Sequence, residues 1–128
     1  SNKVKKEFYK SPSDEQLIKN LDNDNLKIDS STLDKAKLGF HQAQYKVGEA
    51  YLHKSPRTKI DCLKALDWFT KAAAGHYPDA EYKIGILYDY GYGVVPNKRV
   101  AIEWYQRAAE QGDGRAKSRI EIIEGEND

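Results

Sequence analysis

Methionine is absent from this 128-residue chain, and cysteine occurs once, at Cys62. A single thiol excludes an internal disulfide framework, and without further Cys or His at ligand spacing it excludes a zinc cluster. Beside Asp61 and Leu63, near a helix start, Cys62 reads as a small, partly buried side chain. An excess of either charge is also missing, since 21 Lys and Arg stand against 20 Asp and Glu. That balance speaks against the basic footprint of a nucleic-acid binder, against an acidic tail and against a polybasic membrane segment. No run approaches the roughly 20 apolar residues that cross a bilayer, so direct membrane insertion is not expected. No signal peptide is recognisable. The missing Met and the scar-like Ser1-Asn2 indicate that the natural start lies elsewhere, which leaves the compartment open.

The residues of catalysis are equally thin. The histidines are His41, His53 and His76, and none forms a His-x-x-x-His or acid-flanked metal spacing. No Gly-x-x-x-x-Gly-Lys loop is present to cradle a phosphate. Gly91-Tyr92-Gly93-Val94 is too short for a dinucleotide fingerprint and follows a helix. Neither Ser118 nor Cys62 has an organised base, and Glu121 with Glu124 reads as a solvated face. The chain is therefore expected to be no enzyme and to need no metal or cofactor.

What the chain does have is internal repetition. Ala43-Gln-Tyr-Lys-Val-Gly-Glu-Ala-Tyr51 matches Ala80-Glu-Tyr-Lys-Ile-Gly-Ile-Leu-Tyr88, with five of nine positions identical at an offset of 37. Ala65-Leu-Asp-Trp-Phe-Thr-Lys-Ala-Ala73 matches Ala101-Ile-Glu-Trp-Tyr-Gln-Arg-Ala-Ala109 at an offset of 36, with four identities and four conservative changes. Each block has a helical stripe: Ala80, Ile84, Leu87 and Tyr88 in the first kind, Ala101, Trp104, Tyr105 and Ala108 in the second. Asn97, just after Pro96, is placed to cap the later helix B, and Asp61 the earlier one. Gly112 follows the last turn, where a left-handed residue stops a helix. The unit is helix A, loop, helix B, turn.

Gly48 and Gly85 lie inside helix A, where each costs about 1 kcal/mol relative to Ala. Close approach of helix B through Ala72 and Ala108 is the expected reason, with Trp68 and Trp104 filling the space beside the crossing and Tyr51 and Tyr88 closing the far end. Partial units flank the full ones. Ser13-Asp-Glu-Gln16 is a capping-box pattern before Leu17, Ile18 and Leu21. Residues 30–38, with Ala36 and then Gly39, read as a degenerate helix B. Ala116, Ile120 and Ile123 restart helix A, followed by a polar end at Glu121, Glu124 and Glu126. The expected organisation is all-α, about seven helices: residues 1–12 a tag scar and disordered stretch, then a single domain over 13–128. Within it, 13–40 holds degenerate helices, 41–76 repeat one, 77–112 repeat two and 113–124 a capping helix.

The order Ala-x-x-x-Ile/Val-Gly-x-x-Tyr, Gly-x-Gly-Val, Ala-x-x-Trp-x-x-Lys/Arg-Ala-Ala, Gly resembles the Sel-one-like repeat, a relative of the tetratricopeptide repeat. Ala80 to Gly112 carries the whole pattern. The first unit departs from it: its Lys54-Ser-Pro-Arg-Thr58 loop lacks the glycines, and His76 stands at the final glycine, a position histidine tolerates better than branched residues do. The resemblance implies an α/α superhelix of antiparallel helix pairs with helix A lining a concave surface. It also implies an adaptor or regulatory role and, in bacteria, frequent service in the periplasm or cell envelope.

With the stripe turned inward, the opposite face of helix A presents Tyr45, Lys46 and Glu49 in the first unit, Tyr82, Lys83, Ile86, Asp89 and Tyr90 in the second, and Arg119 in the last half-unit. The tyrosines either meet a partner or cover the neighbouring helix; the lysines and Arg119 either receive a carboxylate or are merely solvated. Tyr77, Tyr88, Tyr90 and Tyr92 read as a local cluster that anchors the loop or binds a ligand. The expected partner is another protein or peptide bound along this face. The alternatives are an inhibitor or immunity-type protein that blocks an enzyme through its loops and first 30 residues, and a hydrolase of cell-wall or lactam substrates, claimed for cysteine-rich relatives. Two full repeats are fewer than the roughly three a stable array needs, so either the flanking helices act as caps or the chain pairs with another copy.

Overall fold

The computed structural model describes residues 10–126, so the expected scar and most of the expected disordered stretch lie outside the described residues. Among the described residues there are seven α-helices and no strands: α1 Asp14–Asp24, α2 Ser30–Lys37, α3 His41–Leu52, α4 Lys59–Ala73, α5 Pro78–Tyr90, α6 Lys98–Glu110 and α7 Gly114–Glu126. From α2 onward each helix packs on the next, and α1 lies against α4. Helices α3, α5 and α7 take the helix A places; α2, α4 and α6 take the helix B places.

Local chemistry sets the helix ends. Asn97 Oδ1 accepts from the Val100 N–H at 3.1 Å and opens α6. In the earlier copy the cap is Thr58, not Asp61. Its hydroxyl accepts from the Asp61 N–H at 3.2 Å, while the Asp61 carboxylate accepts from the Thr58 N–H at 2.9 Å. Asp61 sits at the third helical position of this reciprocal box, which satisfies two orphan amides instead of one. The box expected at Ser13 is half formed. Ser13 accepts from the Gln16 N–H, but the Gln16 amide turns to Asn20 at 3.1 Å. Gly112 at φ 93° and His76 at φ 55° stand in the left-handed region where the two repeats stop.

The two helix A glycines admit aromatic rings. A Cβ on Gly48 would fall within 3.0 Å of three Phe69 ring carbons, and one on Gly85 within 3.0 Å of two Tyr105 ring carbons. The group that needs the notch is thus the residue after each tryptophan, not the alanine expected from the sequence. Helix B turns its ring, 0% exposed in both copies, into the gap. Trp68 is fully buried, whereas Trp104 is half-buried and packs back on the first core, with Arg107 stacked 4.3 Å from its ring centre.

The apolar interior falls into two clusters. One gathers Leu17, Val47, Tyr51, Trp68, Phe69 and Ile84; the other gathers Tyr105, Ala108, Ala116 and Ile123, and Tyr88 packs against both. Helices α1, α2 and α7 thereby supply the buried surface that two repeats alone lack. α1 is fastened by charge as well. Tyr51 donates to Asp24 at 2.8 Å, Lys64 pairs with Asp24 at 2.7 Å, and Lys71 pairs with Asp14 at 2.5 Å. The Gly91–Val95 loop leans on the start of α4: a Cβ on Gly93 would meet Cys62 Cβ at 2.7 Å.

Gly85→Ala is expected to destabilise the fold by about 1–3 kcal/mol despite alanine's better helix propensity, because the methyl overpacks against Tyr105. Gly125→Ala, with nothing within 4 Å of the new Cβ, is expected to be neutral or to stabilise by up to about 1 kcal/mol. Urea denaturation of both variants checks the contrast.

Candidate partner-binding face

The buried stripe of α3 is Ala43, Gln44, Val47, Gly48 and Tyr51, and that of α5 is Ala80, Glu81, Ile84, Gly85 and Leu87. With these sides turned inward, Tyr45, Glu49, Tyr82, Lys83 and Ile86 are half-buried, while Lys46 and Tyr90 are exposed. The face runs across three helices. Tyr45 of α3 stacks on Tyr77, just before α5, with centroids 5.3 Å apart, and tilts against Phe69 at 5.5 Å. Its hydroxyl donates to Glu49 at 3.2 Å. Burial first, then the Glu49 and Asp79 carboxylates, push that phenol well above its ordinary range.

Tyr82 tilts against Tyr105 at 5.7 Å, and the Arg115 guanidinium of α7 lies 4.3 Å from its ring centre. Arg115 also bridges Asp79 and Asp113, each at 2.7 Å. The two tyrosines therefore cover neighbouring groups and remain half-buried. The expected four-tyrosine cluster does not form: Tyr77 belongs to Tyr45, Tyr88 to the interior, and only Tyr90 and Tyr92 pair, at 5.9 Å.

Asp89 is not on the face. It is 2% exposed and gathers three donors. The Tyr105 hydroxyl donates to it at 2.8 Å, Arg119 donates at 2.6 and 3.3 Å, and Lys98 forms an ion pair with it. A carboxylate leaves water only with such full pairing. Burial pushes the Asp89 carboxyl up, but the bonds from Arg119, Lys98 and Tyr105 outweigh it and hold the group at about 2. Arg119 leaves the expected partner-contact set with it, since its guanidinium is spent on Asp89 and its side chain is 18% exposed. The Tyr90 ring lies beside both cations, 5.6 Å from Lys98 and 5.0 Å from Arg119.

Sequence reasoning missed this cluster, and Lys98 altogether. The signal lies between the copies: the first unit has Leu52 and Phe69 where the second has Asp89 and Tyr105. An apolar pair becomes a hydrogen-bonded pair, a change that only makes sense if the two positions touch.

Asp89→Asn is expected to cost about 3–5 kcal/mol, because it leaves two cations around a neutral amide. The carboxyl's native value lies below its unfolded one of about 3.9. Its contribution is therefore complete above about pH 4 and is lost as pH falls towards 2. Urea midpoints between pH 5 and 2 are expected to fall more steeply for the parent chain than for Asp89→Asn.

Among the described residues no group of three or more His, Cys, Asp or Glu is placed to hold a metal ion, and no helix is long and apolar enough to cross a membrane. The Sel1 repeat model matches residues 41–77 and again 78–113. The chain is 41% identical over 58 residues to chitin synthase regulatory factor 3 of Schizosaccharomyces pombe, covering 45% of this chain and 6% of that protein. It is 31% identical over 74 residues to the chitin synthase regulator SKT5 of Saccharomyces cerevisiae, covering 58% and 11%. Two solved structures share the architecture. A Sel1 repeat protein from Oxalobacter formigenes has a TM-score of 0.60 at 35% identity, covering 69% of this chain and 25% of that one. A protective antigen of uropathogenic Escherichia coli strains, with an SLR fold, has a TM-score of 0.64 at 34% identity, covering 72% and 20%. This chain thus spans a small part of each, and the likeness reaches fungi and bacteria alike. By two consecutive matches that cover more than half its length, the chain belongs to the Sel1 repeat family.

Proposed function

We propose that this chain is a protein-interaction module of adaptor or regulatory type, whose helix A face receives a segment of another protein. One observation carries the reading. Three helix A elements are tied edge to edge by Tyr45–Tyr77 and Arg115–Asp79 contacts and, beneath the surface, by Arg119–Asp89, and the face above repeats a Tyr-Lys pair at 45–46 and 82–83. Tyrosine gives contact area with a polar tip at low entropic cost, which suits recognition. The names of the fungal relatives, regulators of an enzyme, support a binding role. A cell-envelope location is part of the same proposal and rests on the family resemblance alone.

The second reading, an inhibitor acting through its loops, draws on the edge where Ile60, Tyr92 and Val95 are exposed side by side with the docked Gly93 loop. Residues 14–24 no longer support it as a free appendage, because Leu17 and Leu21 are core residues.

Tyr82→Ala combined with Lys83→Ala is expected to abolish capture of the native partner, read by affinity purification and mass spectrometry from the natural source. The helical circular dichroism is expected to persist. Ile60→Ser with Val95→Ser is expected to leave capture intact. The reverse pattern would transfer the partner to the loop edge.

A further inference from the structure

The three places on the helix A register where a cation recurs, Lys46, Lys83 and Arg119, are unequal. Aligning the copies puts Arg119 of α7 in the register of Lys83 of α5, and Asp89 of α5 in the register of Leu52 of α3. The equivalent notches, Gly48 with Phe69 and Gly85 with Tyr105, fix that register in space. Arg119 meets Asp89 through two hydrogen bonds. The same register sets Lys83 opposite Leu52, an aliphatic side chain half-buried against the first core. The carboxylates elsewhere on the face are engaged: Glu49 accepts from Tyr45, and Asp79 pairs with Arg115. Among the described residues the Lys83 side chain takes part in no ion pair or hydrogen bond, although it is only half exposed.

We infer that the ligand of this face is an acidic segment of a partner protein, one of whose carboxylates seats on Lys83 and replaces in trans the group that Asp89 gives Arg119 in cis. The inference rests on the helix A reading above and narrows it to a ligand class. Tyr82 beside Lys83 and the half-buried Ile86 offer apolar surface, so the acidic residue is flanked by an apolar one. Exposed Lys46, in the equivalent register of α3, adds a second cation. Position 52 then sets the charge of the ligand: an aspartate there would satisfy Lys83 from within and close the site.

The test uses two fluorescein-labelled peptides of equal length, one of Glu-Leu-Ser repeats and one of Gln-Leu-Ser repeats, read by fluorescence anisotropy against the full chain. The Glu peptide is expected to bind roughly tenfold tighter than the Gln peptide, with an affinity that falls as salt rises. Leu52→Asp and, separately, Lys83→Gln are each expected to weaken it by roughly tenfold, while Lys59→Gln at the loop edge leaves it unchanged. Lys83→Gln keeps the test valid if Leu52→Asp unfolds. Equal binding of the two peptides, no binding of the Glu peptide, or indifference of the Glu peptide to Lys83→Gln overturns the inference. If the Gln peptide binds equally and Tyr82→Ala abolishes it, the helix A reading stands and only the carboxylate falls. If capture of the native partner also survives the Tyr82 and Lys83 double change, both fall.

Discussion

Everything in this fold follows from a hole the width of one missing methyl group. A glycine in the middle of helix A costs about 1 kcal/mol of helix propensity, yet it lets an aromatic ring from helix B lie directly on the backbone. Phe69 over Gly48 and Tyr105 over Gly85 are each wholly buried. Burial of such a ring stabilises by about 2–3 kcal/mol at the usual area coefficient, so the exchange is favourable. The notch also fixes the register of each pair, since only one position on helix A can take the ring.

From that register the rest of the stack is determined. Trp104 is carried to the flank of the first unit and joins its core, so each helix B serves its own helix A and the preceding pair. Tyr88 ends between the two interiors and packs on both. The ends are finished by helices without a notch. α7 places the exposed Glu121 in the glycine's register and buries only Ala116 and Ile123. α1 reaches the core through Leu17 and Leu21 and is held by paired charges along α4. The stability of the array is thus a sum of neighbour contacts, as quasi-one-dimensional folds require.

The parts legible in the sequence were those with a period. Helices, the left-handed stops at Gly112 and His76, and the caps at Ser13 and Asn97 all have local signals that tertiary contacts did not override. The cap at Thr58 was misread because Asp61 is also a good cap residue, and only the reciprocal bond tells the third helical position from the zeroth. The notch was seen, but its occupant was not, because spacing along helix B does not say which of Trp68, Phe69 and Ala72 faces the partner helix. The apolar stripes of α3 and α5 were legible, and Tyr45 and Tyr82 lie outside them, half-buried. Asp89 failed because it was placed by its position opposite the apolar stripe, whereas its three donors seat it inside.

That failure links packing to surface chemistry. Once the ring in the second notch carries a hydroxyl, it needs an acceptor in the interior, and Asp89 is the residue one helix away that can supply it. A buried carboxylate in turn needs cations, and it draws Lys98 and Arg119 inward. In the first notch the ring is Phe69, so no acceptor is required, and Leu52, in the register of Asp89, packs against the first core. With Leu52 in the register of Asp89, that position offers no carboxylate to a cation, and Lys83 stays half-buried on the face. One oxygen atom, present on Tyr105 and absent from Phe69, thus goes with a helix A junction closed by Arg119 on Asp89, where the preceding junction sets Leu52 in the aspartate's register.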